Sequence, residues 1–68
     1  VLAYMREAEA SSYLIVLNLG GQPADFIPEG MQLKGKVIMA THPEREGMKL
    51  TGNPIKLKPN EGVIIQLT

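Results

Sequence analysis

The residues of this 68-residue chain that could do chemistry are seven carboxylates and a single histidine, with no cysteine beside them. The acidic residues are Glu7, Glu9, Asp25, Glu29, Glu44, Glu46 and Glu61. Acid–base work by paired carboxylates needs two of them facing one another across a cleft, within about 10 Å. All seven fall in or beside turn-forming stretches, and none lies in a run that suggests a pocket, so each reads as a solvated charge. A nucleophile–histidine pair would have to use His42. Its surroundings, Thr41, Pro43, Glu44, Arg45 and Glu46, read as a charged surface loop in which Arg45 pairs locally with its glutamate neighbours. Exposed pairs of that kind contribute about 0–1 kcal/mol. Without cysteine there is neither a disulfide nor a thiolate metal site, and one histidine does not make a histidine-rich one. The sequence therefore predicts no catalytic, cofactor-binding or metal-binding residue.

Binding chemistry is equally sparse. Sugar-binding surfaces use flat aromatic platforms, and only Tyr4, Tyr13 and Phe26 are present, with no tryptophan. Tyr4 and Tyr13 fall on adjacent strand candidates and read as core residues. Nucleic-acid binding wants basic clusters interleaved with aromatics. Lys34 with Lys36, and Lys56 with Lys58, read instead as solvent faces. Lysine plus arginine balances aspartate plus glutamate at seven each, which removes any long-range pull on nucleic acid or anionic lipid. The apolar runs Tyr13–Leu17 and Val63–Ile65 fall far short of the roughly 20 residues that span a bilayer. Neither a small-molecule site nor direct membrane contact is expected. Asn18, which interrupts an apolar strand just before Gly20-Gly21, is expected to tie that turn to the strand end, because a buried amide needs hydrogen-bond partners.

Five prolines and seven glycines punctuate short runs rich in valine, isoleucine, leucine and tyrosine, the pattern of an antiparallel all-β fold. Strands are predicted over Val1–Glu7, Tyr13–Leu19, Lys36–Thr41 and Val63–Leu67. A short edge strand is confined to Ala24–Ile27 by Pro23 and Pro28, and Met31–Leu33 extends it a little. Short pieces at Met48–Leu50 and Ile55–Leu57 flank a turn at Thr51-Gly52-Asn53-Pro54. Ala8–Ser12 reads as a hairpin link and Pro59-Asn60-Glu61-Gly62 as a turn. The fold class is a small antiparallel β-sandwich with Greek-key-like connections, one domain over residues 1–68. A domain of this size buries only about 60% of the surface its unfolded chain exposes. With no disulfide, it either packs its core very well or leans on a neighbour.

The strand faces carry more information than the strand positions. A sheet with one wet face alternates apolar and polar residues, as Ile55-Lys56-Leu57-Lys58 does. Tyr13-Leu14-Ile15-Val16-Leu17, Val37-Ile38-Met39-Ala40 and Val63-Ile64-Ile65 do not. These strands are apolar on both sides, and a sandwich covers only one side. The expectation is that part of the outer surface is buried against another domain or subunit.

The order of these pieces carries a resemblance. Tyr4-Met5-Arg6 is followed by Tyr13-Leu14-Ile15-Val16-Leu17-Asn18-Leu19-Gly20. Gly35-Lys36-Val37-Ile38 runs into Thr41-His42-Pro43-Glu44-Arg45-Glu46-Gly47. The chain closes on Ile55-Lys56-Leu57-Lys58-Pro59-Asn60-Glu61-Gly62-Val63-Ile64-Ile65. This resembles the C-terminal domain of the α-amylase superfamily, glycoside hydrolase family 13, and within it the α-glucosidase branch. Leu19 departs from the pattern, since these domains often carry an aromatic after the strand asparagine. The resemblance implies a parent chain with a catalytic TIM barrel preceding this segment. It implies a retaining α-glucosidase acting on terminal α-linked glucose of maltose- or sucrose-type oligosaccharides. It places the nucleophile Asp and the acid/base Glu on barrel strands, so neither maps to a position here. The partner it implies is the barrel, which this domain would stabilise and whose apolar surface it would shield. Val1 fits a segment that starts in mid-sequence. The same domain in the heavy chain of a heteromeric amino-acid transporter, without hydrolysis, and a free-standing β interaction module are the competing readings.

Overall fold

A computed structural model of the chain describes residues 1–27, 33–52 and 54–68. Among the described residues seven strands form: β1 (Leu2–Glu7), β2 (Ser12–Leu17), β3 (Ala24–Phe26), β4 (Gly35–Ala40), β5 (Lys49–Leu50), β6 (Ile55–Leu57) and β7 (Gly62–Leu67). A five-stranded antiparallel sheet runs β1-β2-β7-β4-β5, and a two-stranded sheet pairs β3 with β6. The last strand thus slots between β2 and β4, as the expected Greek-key-like connections require. The fold is the small antiparallel β-sandwich that the spacing of turns and apolar runs predicts.

The core lies between the sheets. Leu14 and Val16 of β2, Val37 of β4 and Val63 and Ile65 of β7 face Ile55 and Leu57 of β6, with Leu33 beside them. Val16, Leu33 and Ile65 are completely enclosed. Phe26, Ala3, Ala40, Leu50 and Leu67 pack around this cluster. The β1–β2 hairpin turns through 8–11, where Ala8 N donates to Ser11 O (2.8 Å), so the expected polar link is a tight turn. The loop after β4 contains one short 3₁₀ turn, Pro43–Arg45, and Gly47 follows it with φ +85°, a conformation glycine takes at no steric cost.

The apolar run in β4 has a local cause. The register with β7 shifts between Val37 and Met39. Val37 pairs with Ile65 on the core side, Met39 pairs with Ile64 on the outer side, and Ala40 pairs with Val63 back on the core side. Ile38 is the extra residue of a bulge, which bends a strand and re-aims its side chains.

Tyr4 is a correction to the sequence expectation. It pairs with Ile15 and is 50% exposed, on the outer face rather than in the core. Pairing of Ala3 with Val16 turns Ala3 inward, and strict alternation along β1 then turns Tyr4 outward. Tyr13, opposite Arg6, goes outward for the same reason. The expected extension at Met31–Leu33 and the turn around Asn53 fall partly outside the described residues.

Candidate functional site

The register fixes which side chains share the outer face of the five-stranded sheet, because residues paired across antiparallel strands point the same way. One row reads Leu2, Leu17, Gly62. The next reads Tyr4, Ile15, Ile64, Met39. A third reads Arg6, Tyr13, Gln66, Lys36, Lys49. The outer face is thus an apolar field with a basic rim. Leu2, Tyr4 and Met39 are each about half exposed or more, and large contiguous patches of this kind mark contact sites.

At one end of the field, where β2 and β4 finish and β7 begins, the apolar surface is concave. A hollow of about 300 Å³ is lined by Ile15, Leu17, Met39, Ala40, Thr41, Gly62, Val63 and Ile64. Its floor is Gly62, on the central strand, where a side chain is missing from the row. A Cβ added there would come within 2.7 Å of Leu17 Cδ2. The backbone at Gly62 is pinned by neighbours: Gly62 N donates to Thr41 Oγ1 (3.1 Å), and Thr41 N donates to Gly62 O (3.0 Å).

A polar corner holds the end of the sheet beside this hollow. Asn18, 4% exposed, donates from Nδ2 to Gln22 O (2.8 Å) and Lys58 O (3.0 Å). Its Oδ1 accepts from Gly20 N (3.1 Å). It ties the Gly20-Gly21 turn to the 58–61 turn, as the sequence reading expected and over a longer reach. Asn60 sits at φ +56°, where asparagine is tolerated, and its N–H donates to Gly20 O (3.0 Å).

Glu61 corrects the expectation that every carboxylate is a solvated loop charge. It is 1% exposed. Oε1 accepts from Lys58 N (2.8 Å), and Oε2 lies 2.8 Å from Arg45 Nε. No N–H is aligned on Oε2, so the contact is a close charge pair rather than a directed hydrogen bond. Arg45 also donates from Nη2 to Lys56 O (2.6 Å). It therefore does not pair with its sequence neighbours. Glu44 instead accepts from Lys58 Nζ (2.9 Å) in an exposed pair. That hydrogen bond, with a smaller backbone contribution, holds the Glu44 carboxyl below the ordinary carboxylate range. The 3₁₀ turn is what carries Arg45 and Glu44 to the 56–61 segment, a contact between distant loops that no local motif announces.

The remaining carboxylates do not converge. Glu7 ends β1, Glu9 lies in the hairpin turn, Asp25 points out from β3, and Glu46 is exposed at the end of the 3₁₀ turn; Glu29 lies outside the described residues. Among the described residues no group of three or more metal-ligating side chains comes together, and no helix is long and apolar enough to cross a membrane. Lys34, Lys36, Lys56 and Lys58 are exposed, as expected.

The chain matches no protein-family model and no curated protein. Solved structures do match. The trehalulose synthase MutB from Pseudomonas mesoacidophila MX-45 shares 22% identity over 97% of this chain, with a TM-score of 0.75. A MutB variant in complex with the substrate sucrose matches at 22% identity, over 97% of this chain, with a TM-score of 0.75. Another, in complex with glucose, reaches 0.76 at the same identity and coverage. The likeness is one of fold. It takes in nearly all of this chain but only 12% of each of those.

Proposed function

We propose that this segment is the non-catalytic C-terminal domain of a larger glycoside hydrolase of the α-amylase superfamily, and that it stabilises a preceding catalytic barrel by covering it. The observation that carries the reading is the outer face of the five-stranded sheet. Tyr4, Ile15, Ile64 and Met39 form an apolar row across four strands that nothing in the described chain covers. A free-standing sandwich has that face wet and polar, whereas a domain docked on a larger body has it dry. The order of motifs along the sequence supports the same family. So does the fold shared with one eighth or so of an enzyme that takes sucrose as substrate.

In this reading the parent is a retaining α-glucosidase acting on maltose- or sucrose-type oligosaccharides. The carboxylates that cleave the bond belong to the barrel, and the carboxylates here have structural or solvent roles. Glu61 is the clearest case, since its charge is consumed by Arg45 and by the Lys58 amide.

The test uses the full parent chain. Ile64→Asp places a charge in the middle of the outer face without touching the domain's own core. It is expected to lower soluble yield and thermal stability while the KM of the surviving enzyme for maltose or sucrose stays near that of the parent. A large KM change at unchanged stability would overturn the reading, as would a parent without glycosidase activity.

A further inference from the structure

We infer that the hollow over Gly62 is a socket for one large apolar side chain, supplied by the preceding body of the same chain, with acidic groups of that body set against Arg6, Lys36 and Lys49. The inference rests on the docking role proposed above and adds where the contact is anchored and what chemistry faces it.

Three observations carry it. The first is size and lining. At about 300 Å³ the hollow is roughly twice the 150 Å³ of an apolar cavity that takes up benzene. No charged residue lines it. Water in such a space finds few partners, whereas an aromatic or leucine side chain fills it. The second is position. Gly62 opens β7, the middle of the five strands. The hollow therefore lies at one end of the apolar field, next to the Tyr4-Ile15-Ile64-Met39 row, and anchor side chains sit in pockets that exclude water. The third is charge. The row at one edge of the face carries Arg6, Lys36 and Lys49 with no carboxylate among them. Lys36 and Lys49 stand directly opposite each other across β4 and β5. Like charges so placed destabilise a sheet, and carboxylates on a docked surface relieve that repulsion.

The occupant follows from what the chain lacks. This segment corresponds to 12% of the chains whose fold it shares, so most of such a molecule lies outside it. A second copy fits less well. A two-fold contact applies one patch to itself, and centred on Gly62 it would set hollow against hollow and leave both empty.

The experiment places p-benzoylphenylalanine at Met39, on the hollow's wall, and separately at Tyr4, on the same face outside it, in the full chain. The expected result is an efficient crosslink from Met39 to a single upstream apolar residue of the same polypeptide. Lys36→Glu combined with Lys49→Glu is expected to reduce its yield severalfold. A crosslink from Tyr4 but none from Met39 overturns the socket and leaves the docking role standing. No internal crosslink from either position overturns both. A Met39 crosslink to a second copy also overturns both. A Met39 crosslink indifferent to the charge reversal overturns the acidic component.

Discussion

Arg45 Nε stands 2.8 Å from Glu61 Oε2, joining the 3₁₀ turn after β4 to the residue just before β7. Both side chains are largely withdrawn from water, at 16% and 0% exposure. Removing one member of a buried pair leaves the other charge uncompensated, at a cost of about 3–5 kcal/mol. Glu61→Ala also strands the Lys58 N–H. It is therefore expected to destabilise the domain by an amount in that range. Glu61→Leu combined with Arg45→Met removes both charges and should recover much of the loss. Denaturant unfolding of the native chain, Glu61→Leu, Arg45→Met and the double variant closes the cycle and measures the coupling. A single-variant cost below about 1 kcal/mol would show that the pair is solvated after all.

Asn18 gives a sharper contrast, because its amide donates twice and accepts once. Asn18→Asp keeps the shape, but sets an acceptor against the carbonyls of Gln22 and Lys58. A buried group left without its hydrogen bonds costs about 1–3 kcal/mol, and more when charged. Asn18→Asp at neutral pH is expected to exceed Asn18→Ala in cost, although it is the smaller change in volume. Thermal unfolding of the two variants decides the order.

The exposed Glu44–Lys58 pair behaves differently. Its hydrogen bond lowers the Glu44 carboxyl relative to the unfolded chain. A depressed carboxyl contributes stability that is present above its unfolded value and is lost as pH falls through its folded value. The native chain is expected to be slightly more stable than Glu44→Gln at neutral pH and low salt. That advantage should shrink in acid and in high salt, since exposed charges are screened. An unfolding series in pH and ionic strength reads both trends. An advantage that grows on acidification would contradict the assignment.

The legible parts of the fold were those set by local pattern. Turn residues bounded the strands, alternation in Ile55-Lys56-Leu57-Lys58 marked an exposed face, and doubly apolar β2 and β7 marked a sheet whose outer face is apolar as well as its core face. What escaped was set by partners distant in sequence. The bulge at Ile38 depends on how β4 meets β7, so Val37-Ile38-Met39-Ala40 read as a strand apolar on both sides when a register shift sorts its residues. Tyr4 went outward because Ala3 meets Val16. Glu61 read as a turn carboxylate, and its burial depends on an arginine arriving from another loop. No local signal pointed to it, since Arg45 between Glu44 and Glu46 read as paired within its own loop. The hollow over Gly62 was equally hidden, since a glycine after a turn has an ordinary local explanation.

Two glycines separate folding from docking. At Gly35 an added Cβ would overlap the Gln66 carbonyl oxygen and press on Ile65. Backbone in mid-sheet cannot retreat, so Gly35→Ala is expected to cost about 1–3 kcal/mol or more through overpacking. At Gly62 the obstacle is the far end of Leu17, which turns aside at about 0.5–1.5 kcal/mol if forced off its rotamer. Alanine in a strand recovers about 0.5–1 kcal/mol over glycine. Gly62→Ala should therefore leave the domain's own unfolding nearly unchanged. Its methyl group narrows the hollow from the floor, and Leu17, pushed aside, narrows it from the wall. In the full chain the same substitution is expected to weaken the contact with the preceding body. The readout is the appearance of a second, lower unfolding transition, or faster proteolysis between the two parts. If Gly62→Ala lowers the domain's stability as much as Gly35→Ala does, the glycine serves the fold alone. If it leaves the full chain untouched, the hollow receives nothing.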